Sequence, residues 1–382
     1  MLDGAFVEVT PRQAGRSGGI VAACALAVTV TLASGSASAR PYVPPGDKIW
    51  HGVSDTGEIR DYRRFNDQVK THTPLLQDFF HWGVPLTTGA LDRWERTDTR
   101  GVLSLSTAPG EGTEVTTPRR LASGRDDHYM LRLNQSISSS GQVVYIRPFA
   151  EMNLHLNPYS AFNADGSRRP KHSTAWFKRA WRRLAVILNG GSRAEINARL
   201  LKLGMPRIHR AESEDDPVYE ERGTPTDFDH PKVALMWMPL TRGSPNVPGN
   251  APRDYWPGRK YVDWVGTDTY AKFSNRTLWT NLRRFFRDFR RFPFAIGEYG
   301  PWDNDHDGEF TRRLHKWARD RPRVRALLYF RSVDPVNEFN LQHYKGAKRS
   351  LRRILDRRRY APFAPGTKDG YEGPPGGGGI TP

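Results

Sequence analysis

Short apolar runs alternate with longer amphipathic segments along most of this chain. The apolar runs, rich in Val, Ile, Leu and Phe, predict eight β-strands, over residues 49–53, 76–80, 102–105, 143–149, 233–238, 262–267, 294–297 and 324–330. Between most of them apolar residues return at three- and four-residue steps, most clearly at 174–188, 277–291, 309–321 and 345–358, which predicts helices. Alternation of strand and helix indicates a parallel sheet, and eight repeats favour a closed (β/α)8 TIM barrel of class α/β over an open sheet.

The first 39 residues have the pattern of an export signal. Arg12 and Arg16 precede an apolar run at 19–33, and Ala37-Ser38-Ala39 offers a small-residue cleavage site. We therefore expect a signal peptide at 1–39 and a secreted protein. The apolar run is shorter than the roughly 20 residues of a membrane-spanning helix, and an uncleaved membrane anchor is the alternative.

The rest of the chain divides into a single predicted domain at 40–361 and a Gly/Pro-rich tail at 362–382, which we expect to be flexible. The only cysteine, Cys24, lies in the predicted signal, so the mature protein is predicted to have no disulfide.

The formal charge of +17 comes mainly from arginine. Such a charge permits binding to nucleic acid or to an anionic cell-wall polymer. The arginines fall, however, on the polar faces of predicted helices, which favours solvated faces over a nucleic-acid site. We expect a monomer that binds no nucleic acid, with electrostatic association with the cell wall left open. The grouped residues are Arg179/Arg182/Arg183, Arg283/Arg284/Arg287, Arg312/Arg313 and Arg352/Arg353.

Two long connections flank the fifth predicted strand. Residues 205–231 are acidic and loop-like, and residues 241–259 are rich in Pro and Gly. Connections that follow barrel strands lie at the C-terminal face, where functional sites of this fold are built.

Two predicted strands end in a similar way, the fourth in "VVYIRPFAEMN" and the seventh in "FAIGEYG". Each places a glutamate, Glu151 and Glu298, at the same rim of the barrel, and these strands lie roughly opposite each other. Two converging carboxylates suit glycoside hydrolysis, in which one holds a proton and the other is ionised. The alternative is that each carboxylate is paired with a neighbouring arginine such as Arg147.

The segments "RPFAEMN", "YWPGRKYVDWVGTDTY" and "FAIGEYG" resemble, in this order and spacing, the catalytic strands of glycoside hydrolase family 26. The resemblance spans residues 52–334. It implies a retaining β-mannanase-like enzyme with Glu151 as acid/base and Glu298 as nucleophile, and it matches Tyr270 to a tyrosine that hydrogen-bonds the nucleophile. No cofactor is implied.

The chain departs from the family pattern beside Glu151. Ala150 stands where the family commonly has His, and Leu154 follows Asn153 where Gly is common. These positions contact sugar, so the substrate prediction is a β-linked polysaccharide, with β-mannan first and mixed-linkage glucan or xylan next. His155 and Tyr159 either replace the lost contacts or have plain loop roles.

Polar and aromatic residues near strand ends are candidates for sugar contacts, because sugar rings stack on aromatic faces. Each aromatic residue has core packing as its alternative. The candidates are Arg147, Asn153, Tyr270, Trp82, Trp302 and Tyr329.

The segment "DNDHDGEF" raises the question of a metal. Asp303, Asp305 and Asp307 alternate before Gly308, as in the first half of a calcium loop, but the twelfth position is Leu314 rather than Glu. An acidic cap on the helix at 309–321 is the alternative. Since no HExxH pattern occurs, we predict no zinc site.

Two other functions are compatible with this sequence: a catalytically weak carbohydrate-binding barrel, and a cell-surface protein that binds an anionic wall polymer.

Overall fold

The structure, a computed structural model, describes residues 42–54, 57–87, 89–110, 113–208, 227–331 and 338–365. The predicted signal at 1–39 and most of the acidic connection at 205–231 lie outside these ranges. Within them, no helix combines the length and apolar character needed to cross a membrane.

Eight parallel strands form a closed barrel. Each strand pairs with the next in the chain, and the eighth pairs with the first. The predicted (β/α)8 fold and all eight predicted strands are confirmed. The strands are β1 Ile49–Ser54, β2 Leu75–His81, β3 Arg100–Ser106, β4 Val144–Pro148, β5 Val233–Trp237, β6 Trp264–Tyr270, β7 Phe294–Gly300 and β8 Val324–Tyr329.

Nine α-helices lie in the described ranges. The helix predicted at 174–188 begins and ends as predicted, with the Ser173 side chain accepting from the Trp176 amide as an N-cap. The other three predicted helices end two to three residues early. The helices are α1 Ile59–Val69, α2 Ala90–Arg96, α3 Pro118–Ala122, α4 Asp127–Ser140, α5 Thr174–Leu188, α6 Arg193–Lys202, α7 Arg276–Asp288, α8 Glu309–Arg319 and α9 Lys345–Leu355.

The connection between β5 and β6 contains no α-helix. It has two 3-10 turns instead, Pro252–Tyr255 and Arg259–Tyr261, in a segment whose repeated prolines cannot continue a helix. The buried Tyr255 hydroxyl donates to Asn250 Oδ1 (2.8 Å), and Asn250 Nδ2 donates to the Asn153 carbonyl (3.1 Å). The connection is therefore fastened to the loop that follows β4.

Side chains from all eight strands fill the barrel interior, and Trp50, Tyr145 and Trp264 are the largest. At one end of this core, Trp50 Nε1 donates to the Phe363 carbonyl (3.2 Å) and Ala364 is buried. Residues 362–365 thus pack against the barrel, in contrast to the flexible tail predicted from residue 362. The remaining tail lies outside the described ranges.

The prediction that the grouped arginines lie on solvated helix faces holds on α7, α8 and α9, where these side chains are exposed. It is wrong for Arg183 on α5. Arg183 is fully buried, and its Nε donates to Asp127 Oδ1 on α4 (2.6 Å). A buried guanidinium requires a charged partner, and helical periodicity does not reveal a partner on another helix.

A buried chain of hydrogen bonds joins the barrel to α8 and the C-terminal segment. His51 Nε2 on β1 and His315 Nε2 on α8 both contact the Tyr299 hydroxyl, at 2.5 and 3.0 Å, and His315 Nδ1 contacts the Tyr360 hydroxyl at 2.6 Å. Burial lowers the pKa of His51 to about 3 and that of His315 well below its ordinary value. Both imidazoles are therefore neutral in the folded protein at neutral pH.

These histidines predict a loss of stability in mild acid. Each binds a proton in the unfolded chain near pH 6.5 but not in the folded one, so the stability present above pH 6.5 is lost as pH falls toward 3. Because His51 is protonated in the unfolded chain only, it alone should lower the free energy of unfolding by about 1.5 kcal/mol between pH 6.5 and pH 5. Denaturant unfolding at several pH values in this range should show that the free energy of unfolding falls less for His51→Gln than for the wild type. The exposed-site control His343→Gln should keep the wild-type slope, and equal slopes in all three proteins would contradict the prediction.

Candidate active site

Glu151 and Glu298 line one cleft at the C-terminal ends of the strands. The cleft has a volume of about 270 Å³. Besides the two glutamates its walls come from β2, β3 and the loop after β4, and they include Phe79, Phe80, His81, Ser104, Ser106, Ala108, Arg147, Ala150, Asn157 and Tyr159. The convergence expected for strands four and seven is thus present in the fold.

Glu298 lies within β7 rather than just past it, because β7 continues three residues beyond the predicted end. Arg147 Nη1 donates to Glu298 Oε1, and the Tyr270 hydroxyl donates to Oε2 at 2.5 Å. The Gln77 amide, oriented to satisfy both of its ends, accepts from Arg147 Nη1 and donates to the Gly297 carbonyl, both at 3.2 Å. In the other orientation the Gln77 amide nitrogen donates to Glu298 Oε1 at 3.4 Å, but the Gln77 amide oxygen then faces only other acceptors. Glu298 is therefore held at both oxygens.

Arg147 does not have the sugar-binding role predicted for it. Its side chain is 1% exposed, and its second amino group, Nη2, donates to Asp268 Oδ2 on β6. Burial alone would lower the pKa of Arg147, but the charges of Asp268 and Glu298 raise it above its ordinary value. The guanidinium is a permanent buried cation that fixes two carboxyl groups.

Glu151 lies on a tight turn after β4, where Phe149 and Glu151 both have left-handed backbone angles (φ 52° and 51°). Such angles are strained for residues other than glycine, and surrounding bonds must hold them. Here the Glu151 amide donates to the Met238 carbonyl (2.7 Å), and Asn157 Nδ2 donates to the Glu151 carbonyl (2.9 Å). The turn directs the Glu151 side chain into the cleft.

The carboxyl group of Glu151 is poised to hold a proton near neutral pH. Burial raises its pKa to about 7, the negative charge of Glu298 adds to the rise, and Arg147 partly offsets it. The two glutamates thus have unequal surroundings, since Glu298 accepts two hydrogen bonds from donors while Glu151 faces a second negative charge.

Asp268 is a site residue that the sequence analysis missed. Burial raises its pKa well above the ordinary value, Arg147 opposes the rise, and the charges of both glutamates add to it. Its Oδ2 accepts from Arg147 Nη2, and its buried Oδ1 has no hydrogen-bond partner within the part of the chain that the structure describes. Its position two residues before Tyr270 on one strand was the available signal, because such residues share a face.

Gly297 leaves room for this group of charges. A β-carbon at this position would lie 2.4 Å from Met238 Sδ, 2.8 Å from Asp268 Oδ1 and 3.1 Å from Arg147 Nε. Any larger residue before Glu298 would displace the side chains that hold it.

Three predicted sugar contacts are wrong. Trp82 is 4% exposed and packs on Tyr129, with ring centroids 4.8 Å apart. Tyr329 is 1% exposed, and its hydroxyl donates to the Phe339 carbonyl (2.7 Å). Asn153 is buried, and its amide both donates to and accepts from the backbone of Leu240 (3.0 and 2.8 Å). All three stabilise the fold.

Two further aromatic residues lie near Glu298 or in the cleft. Trp302 stands beside Tyr270 with ring centroids 5.1 Å apart and is half-buried, and its contact with sugar stays a prediction. Phe79 on β2, which was not predicted, is 48% exposed and lines the cleft.

His155 and Tyr159 have loop roles in this structure. His155 Nδ1 lies 3.1 Å from the Ser244 carbonyl, and the Tyr159 hydroxyl donates to the Ala150 carbonyl (2.6 Å). Tyr159 also lines the cleft.

Two of the three aspartates of "DNDHDGEF", Asp305 and Asp307, cap α8. Asp305 accepts from the amides of Phe310 (2.8 Å) and Thr311 (3.1 Å), and Asp307 accepts from the amide of Glu309 (2.9 Å). These bonds confirm the capping interpretation, and the carboxylates are used by the helix start rather than by a calcium loop. Within the described ranges, no group of three or more His, Cys, Asp or Glu residues is arranged to hold a metal ion.

Comparisons with solved structures place the fold. The chain is similar to the Bacillus subtilis mannanase man26, with a TM-score of 0.50 and 15% identity over 82% of this chain and 87% of the other. The chain is also similar to the YdhT protein from Bacillus subtilis, with a TM-score of 0.51 and 15% identity over 82% of this chain and 87% of that one. For the GH26 domain of the Prevotella bryantii endo-β-mannanase/endo-β-glucanase, the TM-score is 0.50 and the identity is 12%, over 85% of this chain and 93% of that domain.

Neither protein-family models nor curated protein sequences give a match to the chain. The structural likenesses show that the chain has the fold of family 26 glycoside hydrolases. The resemblance predicted from the sequence is thereby confirmed at the level of the fold.

The influence of Glu298 on Glu151 can be measured without any substrate. Glu298→Gln removes a negative charge beside Glu151 and leaves Arg147 less compensated, so the pKa of Glu151 should fall from about 7 toward its ordinary value. Carbon-13 NMR titration of the Glu151 carboxyl group measures this. Asp320→Asn, at the distant end of α8, is the charge-matched control and should leave the titration unchanged. An unchanged Glu151 titration in Glu298→Gln would show that the two groups do not interact.

Proposed function

We propose that the protein is a secreted, retaining glycoside hydrolase that cleaves within a β-linked polysaccharide. The observation that carries this proposal is the pair of glutamates in one cleft, one raised to a pKa of about 7 and the other held by Arg147 and Tyr270. A proton donor beside an anchored carboxylate is the chemical requirement of double displacement.

In the first step a Glu298 oxygen attacks the anomeric carbon and forms a glycosyl ester. The bond to the leaving oxygen breaks, and the proton of Glu151 passes to that oxygen. Arg147 and Tyr270 hold the two oxygens of Glu298 in position, so little reorganisation is needed.

In the second step water attacks the same carbon from the side that the leaving group vacated. Glu151, now ionised, accepts a proton from this water, and the ester bond to Glu298 breaks. Two inversions give net retention of the anomeric configuration.

β-Mannan is the first choice of substrate, followed by mixed-linkage glucan and xylan. The support is that the similar structures include a mannanase and a domain of an endo-β-mannanase/endo-β-glucanase. Ala150 on the cleft wall leaves open space next to Glu151, so sugars at the cleavage point have fewer protein contacts there. A panel of mannan, lichenan and xylan, with products followed by NMR, ranks these substrates.

A catalytically weak binding barrel is the second candidate, and the Ala150 substitution is the observation that favours it. A binding protein has no need for a buried Arg147 that fixes Glu298, or for a protonated carboxyl beside it. Hydrolysis of any polysaccharide in the panel distinguishes the two candidates.

Mutation of the two glutamates should separate their roles. Glu151→Gln should lower kcat by about 10²- to 10⁴-fold, because it removes the general acid. Glu298→Ala should abolish hydrolysis, and azide should restore turnover by entering the vacated space and giving an α-glycosyl azide. The control Asp320→Asn should keep wild-type rates. Unchanged hydrolysis in Glu298→Ala would remove Glu298 from the mechanism.

A further inference from the structure

A groove runs along the outside of the barrel between α7 and the connection from β5 to β6. It consists of two adjoining clefts of about 480 and 500 Å³, which share Arg253, Asp288 and Phe289 as lining residues. The groove exists because the fifth βα unit has two 3-10 turns where a barrel ordinarily has a helix.

The charge of the groove is strongly positive. Asp288 is the only acidic residue among its lining, and it pairs with Arg253 (3.5 Å). Four other exposed arginines line the two clefts and form no hydrogen bond or ion pair within the part of the chain that the structure describes. They are Arg242 and Arg284 in the first cleft and Arg290 and Arg291 in the second.

The floor of the groove is aromatic. Trp256 and Phe289 are packed with ring centroids 5.0 Å apart, and Phe292 lies 5.4 Å from Trp256. Aromatic rings and exposed guanidinium groups that line the same clefts suit a ligand that is both sugar-like and anionic.

The connection that lines the groove is hydrogen-bonded to the loop that carries Glu151. The segment that begins the first cleft at Thr241 is hydrogen-bonded to the loop that carries Glu151, through the Ser244 amide to the Asn153 carbonyl (2.8 Å). The catalytic cleft itself has Arg147 as the only arginine or lysine in its lining, and both carboxyl partners occupy it. Negative charge on a bound chain would therefore be recognised in the groove rather than at the glutamates.

We propose that this groove is a second binding site for a carboxylate-bearing, β-linked polysaccharide, that is, one that contains uronate units. The inference rests on the proposed function, because the bound chain is taken to be a polysaccharide that also reaches Glu151. The exposed arginines pair with its carboxylates, and the aromatic floor contacts its ring faces. Nucleic acid is the competing polyanion, and the hydrogen bond between the groove's connection and the loop of Glu151 favours the polysaccharide.

Binding of matched oligosaccharides tests the proposal. Titration calorimetry should use the full domain in its Glu298→Ala form, so that no ligand is consumed. Oligomannuronate and oligomannoside of equal length have the same β-1,4 backbone and differ in carboxylate. The oligomannuronate should bind more tightly, and the difference should shrink as salt screens the charges.

Substitutions locate the site. The quadruple variant of Arg242, Arg284, Arg290 and Arg291 to Ala should weaken oligomannuronate binding by about tenfold or more, since each exposed ion pair contributes a few-fold. Oligomannuronate binding should be weakened less by the control double variant Arg349→Ala and Arg353→Ala on α9. The matched double variant Arg290→Ala and Arg291→Ala in the groove should weaken it more. The groove variants, with Glu298 intact, should hydrolyse neutral oligosaccharides at the wild-type rate.

Three results would overturn the proposal: equal affinity for charged and neutral chains, equal losses from the α9 and groove pairs, or tighter binding of a DNA duplex through the same arginines. If the protein binds oligomannuronate through the groove but cleaves no polysaccharide, the proposed function is refuted and the groove proposal stands. If it cleaves a polysaccharide but does not bind oligomannuronate through the groove, only the groove proposal is refuted.

Discussion

The candidate site depends on one buried cation. Arg147 lies at the mouth of the barrel with its guanidinium divided between Glu298 and Asp268. Withdrawing these charges from water is costly, and removal of any one partner would leave another uncompensated. The arrangement is favourable only when three strands, β4, β6 and β7, hold their ends in register. The closed barrel supplies that register, and Gly297 supplies the space.

From this cation the differences between the carboxyl groups follow. Glu298 has two donors, one of them Arg147, whereas Glu151 sits on a strained turn where burial and the charge of Glu298 raise its pKa. Arg147 thus holds one of two otherwise similar side chains, while burial and the charge of the held one raise the pKa of the other. The hydrogen-bonded loops at Asn153 and Ser244 tie the same turn to the outer groove.

The sequence was sufficient to predict the barrel because its apolar runs are long, regular and separated by helical patterns. It also predicted that Glu151 and Glu298 converge at one rim, since the ends of parallel barrel strands meet there, while their catalytic roles stay predictions. It failed for Trp82, Tyr329 and Asn153, because a position near a strand end does not specify which face a side chain takes. Asp268 and Arg183 were missed or misread for a related reason: a buried charge is explained only by its partner, and that partner lies on another element.

The central claim is that Glu298 attacks the sugar. An activated 2-deoxy-2-fluoro-mannoside, which forms the glycosyl ester faster than water removes it, tests this directly when the inactivated protein is digested and its peptides are analysed by mass spectrometry. One fluorosugar should be found on the peptide that contains Glu298, and activity should recover when an acceptor sugar removes the bound fluorosugar. Labelling of Glu151, or hydrolysis of the reagent with no covalent adduct in any peptide, would contradict the account.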